Sequence, residues 1–76
     1  MTKLQFVTRL KELRAATGMS QAKLCENSGI GQTLYEYYES EKHPHIPTYK
    51  NLIVLADFFD CSIDYLLCRT DNPKRN

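Results

Sequence analysis

Apolar residues recur along this chain with a helical period, and Gly, Pro and small polar residues break the period at short intervals. Over residues 3–17, Phe6, Leu10 and Leu13 fall at i, i+4 and i+7 with Val7 beside them. Lys3, Arg9, Lys11, Glu12 and Arg14 fill much of the remainder. That spacing predicts an amphipathic helix, closed by Gly18 as a left-handed cap. Ser20 is a good N-cap for a second helix over 21–28, with Ala22, Leu24 and Cys25 as its apolar positions and Gly29 as its C-terminal cap. A third short helix begins at Gly31 or Gln32, with Tyr35 and Tyr38 facing inward and Leu34 at the border. The two prolines of "SEKHPHIP" exclude regular helix there. Thr48 then caps a helix over 49–59 that runs through Tyr49, Leu52, Ile53, Leu55, Ala56, Phe58 and Phe59. "DCS" is a turn, and Ser62 caps a last helix over 63–68 with Ile63, Leu66 and Leu67 apolar. No stretch alternates as a strand would. The expectation is an all-α domain of five short helices over residues 1–70, followed by a flexible polar tail over 71–76.

The stretch "SQAKLCENSGIGQTLYEYYE" places a helix, a Gly-containing turn and a second short helix in sequence, the arrangement of a helix-turn-helix. Such a turn sets its two helices at a steep angle. The second one stands clear of the body and fits a major groove about 12 Å wide. On these residues alone, the hairpin suits a DNA reader and a purely structural helix pair equally.

Composition narrows the field. The 76 residues make one small domain with a modest core, marginal without a partner subunit. Hydrophobic residues at 42% and charged residues at 25% suit a globular protein. The formal net charge of +1 does not announce nucleic-acid binding, so any such function depends on where the charges sit. No signal peptide and no apolar run of about twenty residues is present. Three Cys without CxxC spacing read as reduced thiols of a cytoplasmic protein, Cys25 and Cys61 in the core and Cys68 as the more exposed one.

Enzyme chemistry finds no foothold. His43, His45 and Cys68 fit no metal-ligand spacing. Asp57, Asp60 and Asp64 fall at a helix end and the start of the next, where capping and solvation account for them. Ser20, Ser28, Ser40 and Ser62 lack a His and Asp arranged for nucleophilic work, and no Gly-rich phosphate loop occurs. The reading is a non-enzyme with no cofactor, no metal and no small-molecule ligand.

Three segments carry a resemblance. "RLKELRAATGMSQAKL", "GIGQTLYEYYE" and "PTYKNLIVLADFFDCSIDYLL" resemble, in order and spacing, the helices of the Cro/C1-type repressors, also called the XRE family. The resemblance implies a lambda-repressor-like DNA-binding domain with a central helix-turn-helix. It implies that Gln21, first in the second helix, meets a phosphate. Gln32 and Thr33, opening the third helix, face base edges, with Gln32 able to pair bidentately with adenine N6 and N7. Glu36 and Tyr37 lie one turn further along that face. Lys42 and His43 in the following loop, and Lys50 at the start of the fourth helix, meet the DNA backbone. Arg14 and Glu39 match a pair that forms a salt bridge between the first and third helices in that family.

The chain also departs from the family. Arg is frequent there at the positions of Gln32 and Tyr37, and Gly at that of Glu41. The loop from Glu39 to Pro47 is about two residues longer than usual. Phosphate affinity scales with the number of cations engaged. Two or three Lys per subunit bind weakly, and two symmetric copies double the contacts one DNA turn apart. The expectation is therefore a homodimeric repressor on double-stranded DNA with a palindromic operator, either Cro-like or a small prophage or mobile-element regulator, because the length leaves no room for an effector domain. The competing expectation is a protein-interaction module of antitoxin type, whose acidic, Tyr-bearing third helix binds a protein and little or no DNA.

Overall fold

A computed structural model of the chain describes residues 1–75. Five helices follow in order: α1 (Lys3–Thr17), α2 (Gln21–Ser28), α3 (Gln32–Tyr38), α4 (Tyr49–Phe59) and α5 (Ile63–Leu66). No strand occurs among the described residues, so the domain is all-α.

Local chemistry sets most of the boundaries. The side chains of Ser20, Thr48 and Ser62 accept hydrogen bonds from the backbone N–H groups of Lys23, Asn51 and Tyr65 at 3.1, 3.3 and 3.0 Å. Each satisfies a donor that a helix N-terminus leaves without an internal partner. α1 begins with a capping box: the Thr2 hydroxyl accepts from the Gln5 N–H, and the Gln5 side chain accepts from the Thr2 N–H. Gly18 and Gly29 take φ of 74° and 81° at the ends of α1 and α2, a conformation that costs other residues strain.

α4 and α5 end in the same left-handed way without glycine. Asp60 has φ of 52°, and the N–H groups of Asp60 and Cys61 return to Asp57 O and Ala56 O at 3.2 and 3.0 Å. At α5, Cys68 has φ of 61°, and the N–H groups of Cys68 and Arg69 return to Tyr65 O and Asp64 O at 3.0 and 2.8 Å. This pairing satisfies the last carbonyls of each helix. It also explains why α5 stops at Leu66, short of the expected residue 68.

Phe6, Leu10, Leu24, Tyr35, Leu55 and Leu66 are completely inaccessible, with Tyr38, Cys61 and Ala56 nearly so. Every helix thus contributes to one core. Ile30, in the turn between α2 and α3, closes that core from the side. Two expected apolar positions stand outside it. Ala22 is exposed, and Tyr49 is 77% exposed. Both lie in the first turn of their helix, beyond the reach of the elements that cover the rest of it.

Arg9 joins α1 to α5: its guanidinium lies 3.8 Å from the centre of the Tyr65 ring and donates to Tyr65 O at 2.7 Å. Beyond α5 the chain returns to the body. Pro73 O accepts from the Ser62 N–H at 3.0 Å, and Arg75 donates to the Asp57 carboxylate at 2.5 Å. The expected flexible tail covers 71–76, of which residue 76 lies outside the described residues.

Candidate nucleic-acid interface

α3 is seven residues long, too short to hold its shape without packing. Its inner face supplies that packing. The rings of Tyr35 and Tyr38 meet edge to face at 6.3 Å between centres. The Tyr38 hydroxyl accepts from the Asn51 side-chain amide at 2.9 Å, which fastens α3 to α4.

The end of α3 is held by a buried charge. Glu39, its C-cap, is only 4% exposed. Arg14 grips its carboxylate with two bonds, Nε to Oε2 at 2.7 Å and Nη2 to Oε1 at 3.1 Å. The third nitrogen of Arg14 donates to Met19 O at 3.1 Å. Gln21 Nε2 adds a bond to Glu39 Oε1 at 3.1 Å. One carboxylate therefore joins the C-terminal part of α1, the first residue of α2 and the end of α3. Burial alone works against its ionisation. The hydrogen bonds from Arg14 and Gln21, the positive charge of Arg14 and the nearby Tyr35 hydroxyl outweigh that cost, so its pKa lies below the ordinary carboxylate value. The Arg14 pKa rises above its usual range through the hydrogen bond to Glu39. The Tyr35 hydroxyl is buried beside this carboxylate without a partner in good hydrogen-bond geometry. Its pKa stands above the usual tyrosine range, through burial first and the neighbouring Glu39 second.

The opposite face of α3 is open. Gln32, Thr33 and Glu36 are exposed on it. Gln32 Nε2 donates to Glu36 Oε1 at 3.4 Å, one helical turn on. Gly31, the N-cap, supplies no side-chain hydrogen bond, so no side chain caps this end of the helix.

Tyr37 does not share that open face as expected. It is half-buried, and its ring stacks on His43 at 4.0 Å between centres with the planes 23° apart. His45 lies on it more loosely, at 5.9 Å. Lys3, from the start of α1, donates to Tyr37 O at 3.0 Å and also to His45 O. Burial lowers the Lys3 pKa. The extended loop after α3 is thus folded against the helix by an aromatic stack and a lysine. Sequence reading missed Lys3 and His45 in this role. Their contacts span 34 and 42 residues of chain, and no local pattern reports them. The capping box at Thr2, by contrast, was readable as Thr-x-x-Gln.

Of the expected phosphate contacts, Lys42 and His43 are exposed in the loop, and Lys50 is exposed in the first turn of α4. Gln21 is only partly exposed, with its side-chain amide turned to Glu39. Among the described residues, no group of His, Cys, Asp and Glu is arranged to hold a metal ion. No described helix is long and apolar enough to cross a membrane.

The family described as Helix-turn-helix matches residues 10–66, three-quarters of the chain and the whole of α2 and α3. The chain belongs to this family, of the Cro/C1 type. An uncharacterized HTH-type transcriptional regulator of Bacillus subtilis, YobD, is 37% identical over 68 residues, which cover 90% of this chain and 59% of that protein. The cryptic phage CTXphi transcriptional repressor RstR of Vibrio cholerae is 39% identical over 61 residues, 80% of this chain and 53% of its own. A second uncharacterized HTH-type regulator of Bacillus subtilis, YqaE, is 33% identical over 69 residues, 91% and 58% of the two chains. The chain thus spans little more than half the length of these relatives. No solved structure gives a significant match.

Proposed function

We propose that this helix-turn-helix domain binds double-stranded DNA sequence-specifically in the cytoplasm and regulates transcription as a homodimeric repressor. The observation that carries the reading is the division of α3. Its inner face is locked by Tyr35, Tyr38 and Glu39, and its outer face offers Gln32, Thr33 and Glu36 to solvent from a rigid base. Base contacts specify sequence and backbone contacts set register. In this reading Gln32, Thr33 and Glu36 meet base edges. Lys42, His43 and Lys50 meet phosphates with their side chains, and Gln21, whose amide is turned to Glu39, does so with its backbone N–H at the start of α2. The names of the relatives, transcriptional regulators and a phage repressor, support the same assignment.

Selection of bound sequences from random duplex DNA by the purified chain tests this directly. Enrichment of a palindrome supports both recognition and two-fold symmetry. No enrichment at low salt sinks the reading.

One observation favours a second reading. α3 carries no Lys or Arg, Glu36 stands exposed on its outer face, and Lys3 is turned to backbone carbonyls. A surface so poor in cations also suits a protein partner, as in an antitoxin-like module. Salt titration separates the two, since DNA affinity falls steeply with salt and an apolar protein interface responds little.

A further inference from the structure

The hydrogen bond between Gln32 and Glu36 bears on which base α3 reads. A glutamine amide is nearly symmetric in shape but opposite in chemistry at its two ends: one oxygen accepts, and one nitrogen carries two donating hydrogens. In the major groove adenine offers an acceptor beside a donor, and guanine offers two acceptors. A free glutamine can serve either base. It pairs with adenine through its oxygen and one N–H, or with guanine through both N–H groups.

Gln32 is not free. Its Nε2 donates to Glu36 Oε1 at 3.4 Å. That bond turns the nitrogen toward the C-terminal end of α3 and consumes one of its two hydrogens. The amide keeps one N–H and its oxygen, which is adenine's complement and not guanine's. Both residues are exposed on the open face. Among the described residues, no cation forms a salt bridge with Glu36 and competes for its carboxylate. A bare carboxylate also repels the O6 and N7 acceptors of guanine.

We infer that Glu36 is a positioning residue for base recognition: it orients the Gln32 amide so that the pair reads adenine and rejects guanine as one unit. This rests on the DNA-binding reading above. It gives a reason for an acid on a DNA-facing helix, since a position that costs phosphate affinity gains discrimination.

The test uses the full chain and the duplex enriched from random DNA by the wild type. Binding is measured on that duplex and on one with guanine in place of the adenine assigned to Gln32, for wild type, Glu36→Ala, Glu36→Gln and Gln32→Ala. Glu36→Ala should lower the adenine-over-guanine ratio on the order of tenfold, while its affinity for unrelated DNA rises through the lost negative charge. Glu36→Gln keeps an acceptor for Gln32 Nε2 and should retain most of the ratio. In the Gln32→Ala background, Glu36→Ala should no longer change it. A ratio unmoved by Glu36→Ala, or lowered alike by Ala and Gln, overturns the inference while leaving DNA binding intact. If the wild type enriches no sequence, the DNA-binding reading itself fails and this inference with it. Helical content by circular dichroism confirms that each variant is folded, as an exposed substitution allows.

Discussion

The two glutamates of α3 and its C-cap, Glu36 and Glu39, are three residues apart and live in opposite worlds. Glu39 is buried and accepts three hydrogen bonds, two from Arg14 and one from Gln21, with the Tyr35 hydroxyl close by. Glu36 is exposed, and its carboxylate accepts a hydrogen bond from the side chain of Gln32. The composition of this segment suggests a helix hostile to DNA. The fold divides its acidity: one carboxylate is paired inside at the end of the helix, and the other stands on the exposed face, where the proposed reading puts base recognition. Net charge over a short segment therefore says little until each residue has a face.

The largest way to break the contrast is on the inner side. Glu39→Ala leaves the Arg14 guanidinium facing a cavity and strands the Gln21 amide. Removing one partner of a fully buried pair costs about 3–5 kcal/mol. The Arg14 side chain keeps 23% of its surface exposed, so water offsets part of that. A loss of about 2–3 kcal/mol is expected, still a large part of the stability of a domain this size. Urea unfolding followed by circular dichroism should show the loss. A change under 1 kcal/mol would mean that the network is ornamental.

Acid should reproduce part of this effect. The folded-state pKa of Glu39 is below its ordinary value of 4.5. Its contribution to stability is therefore complete above that value and is lost as pH falls through the folded pKa. The urea midpoint of the wild type should fall between pH 5 and pH 3. Glu39→Gln should start lower and lose less over that interval, because the titrating group is gone.

On the outer side the effects move from folding to recognition. Gln32→Ala removes no buried contact, so its unfolding curve should overlay that of the wild type. On the selected duplex it should weaken binding by about 1–3 kcal/mol and relax preference at one base pair per half-site. The dependence on salt should stay the same, because an uncharged side chain releases no counterion. Isotherms at several salt concentrations on matched and mismatched duplexes check all three points. If Gln32→Ala binds DNA like the wild type and loses a protein partner, the interaction-module reading takes its place.

The inner side was far more legible in the sequence than the outer. Helix boundaries depend on neighbours a few residues away, so Ser20, Gly29, Thr48 and Ser62 announced them, and the period of Phe6, Leu10, Leu24 and Leu55 announced the core. Periodicity does not say where a covering element ends, which is why Ala22 and Tyr49 were misplaced in first turns. The arrangement around Tyr37 was not legible. Its placement depends on Lys3 and two histidines brought together only by the tertiary fold. The hydrogen bond between Gln32 and Glu36 lies between these cases: the i, i+4 spacing permits it, and only coordinates show it formed.

The smallest expected effect is at the edge of the outer surface. Lys42 is exposed in the loop after α3 and forms no salt bridge among the described residues. Next to it, the stack of His43 on Tyr37 fixes one side of the loop. The backbone at Lys42 is thus constrained while its side chain remains free to reach a phosphate. Lys42→Ala should leave stability within about 0.5 kcal/mol, as for surface changes away from packed features. It should weaken binding to matched and unrelated duplexes by the same factor, because a phosphate contact holds no base information. The plot of log affinity against log salt should flatten by about one unit per lost contact. In a dimer that makes the contact twice, the flattening doubles, so the size of the change also counts subunits on the DNA. A changed base preference with the slope intact would move Lys42 from the backbone to the groove.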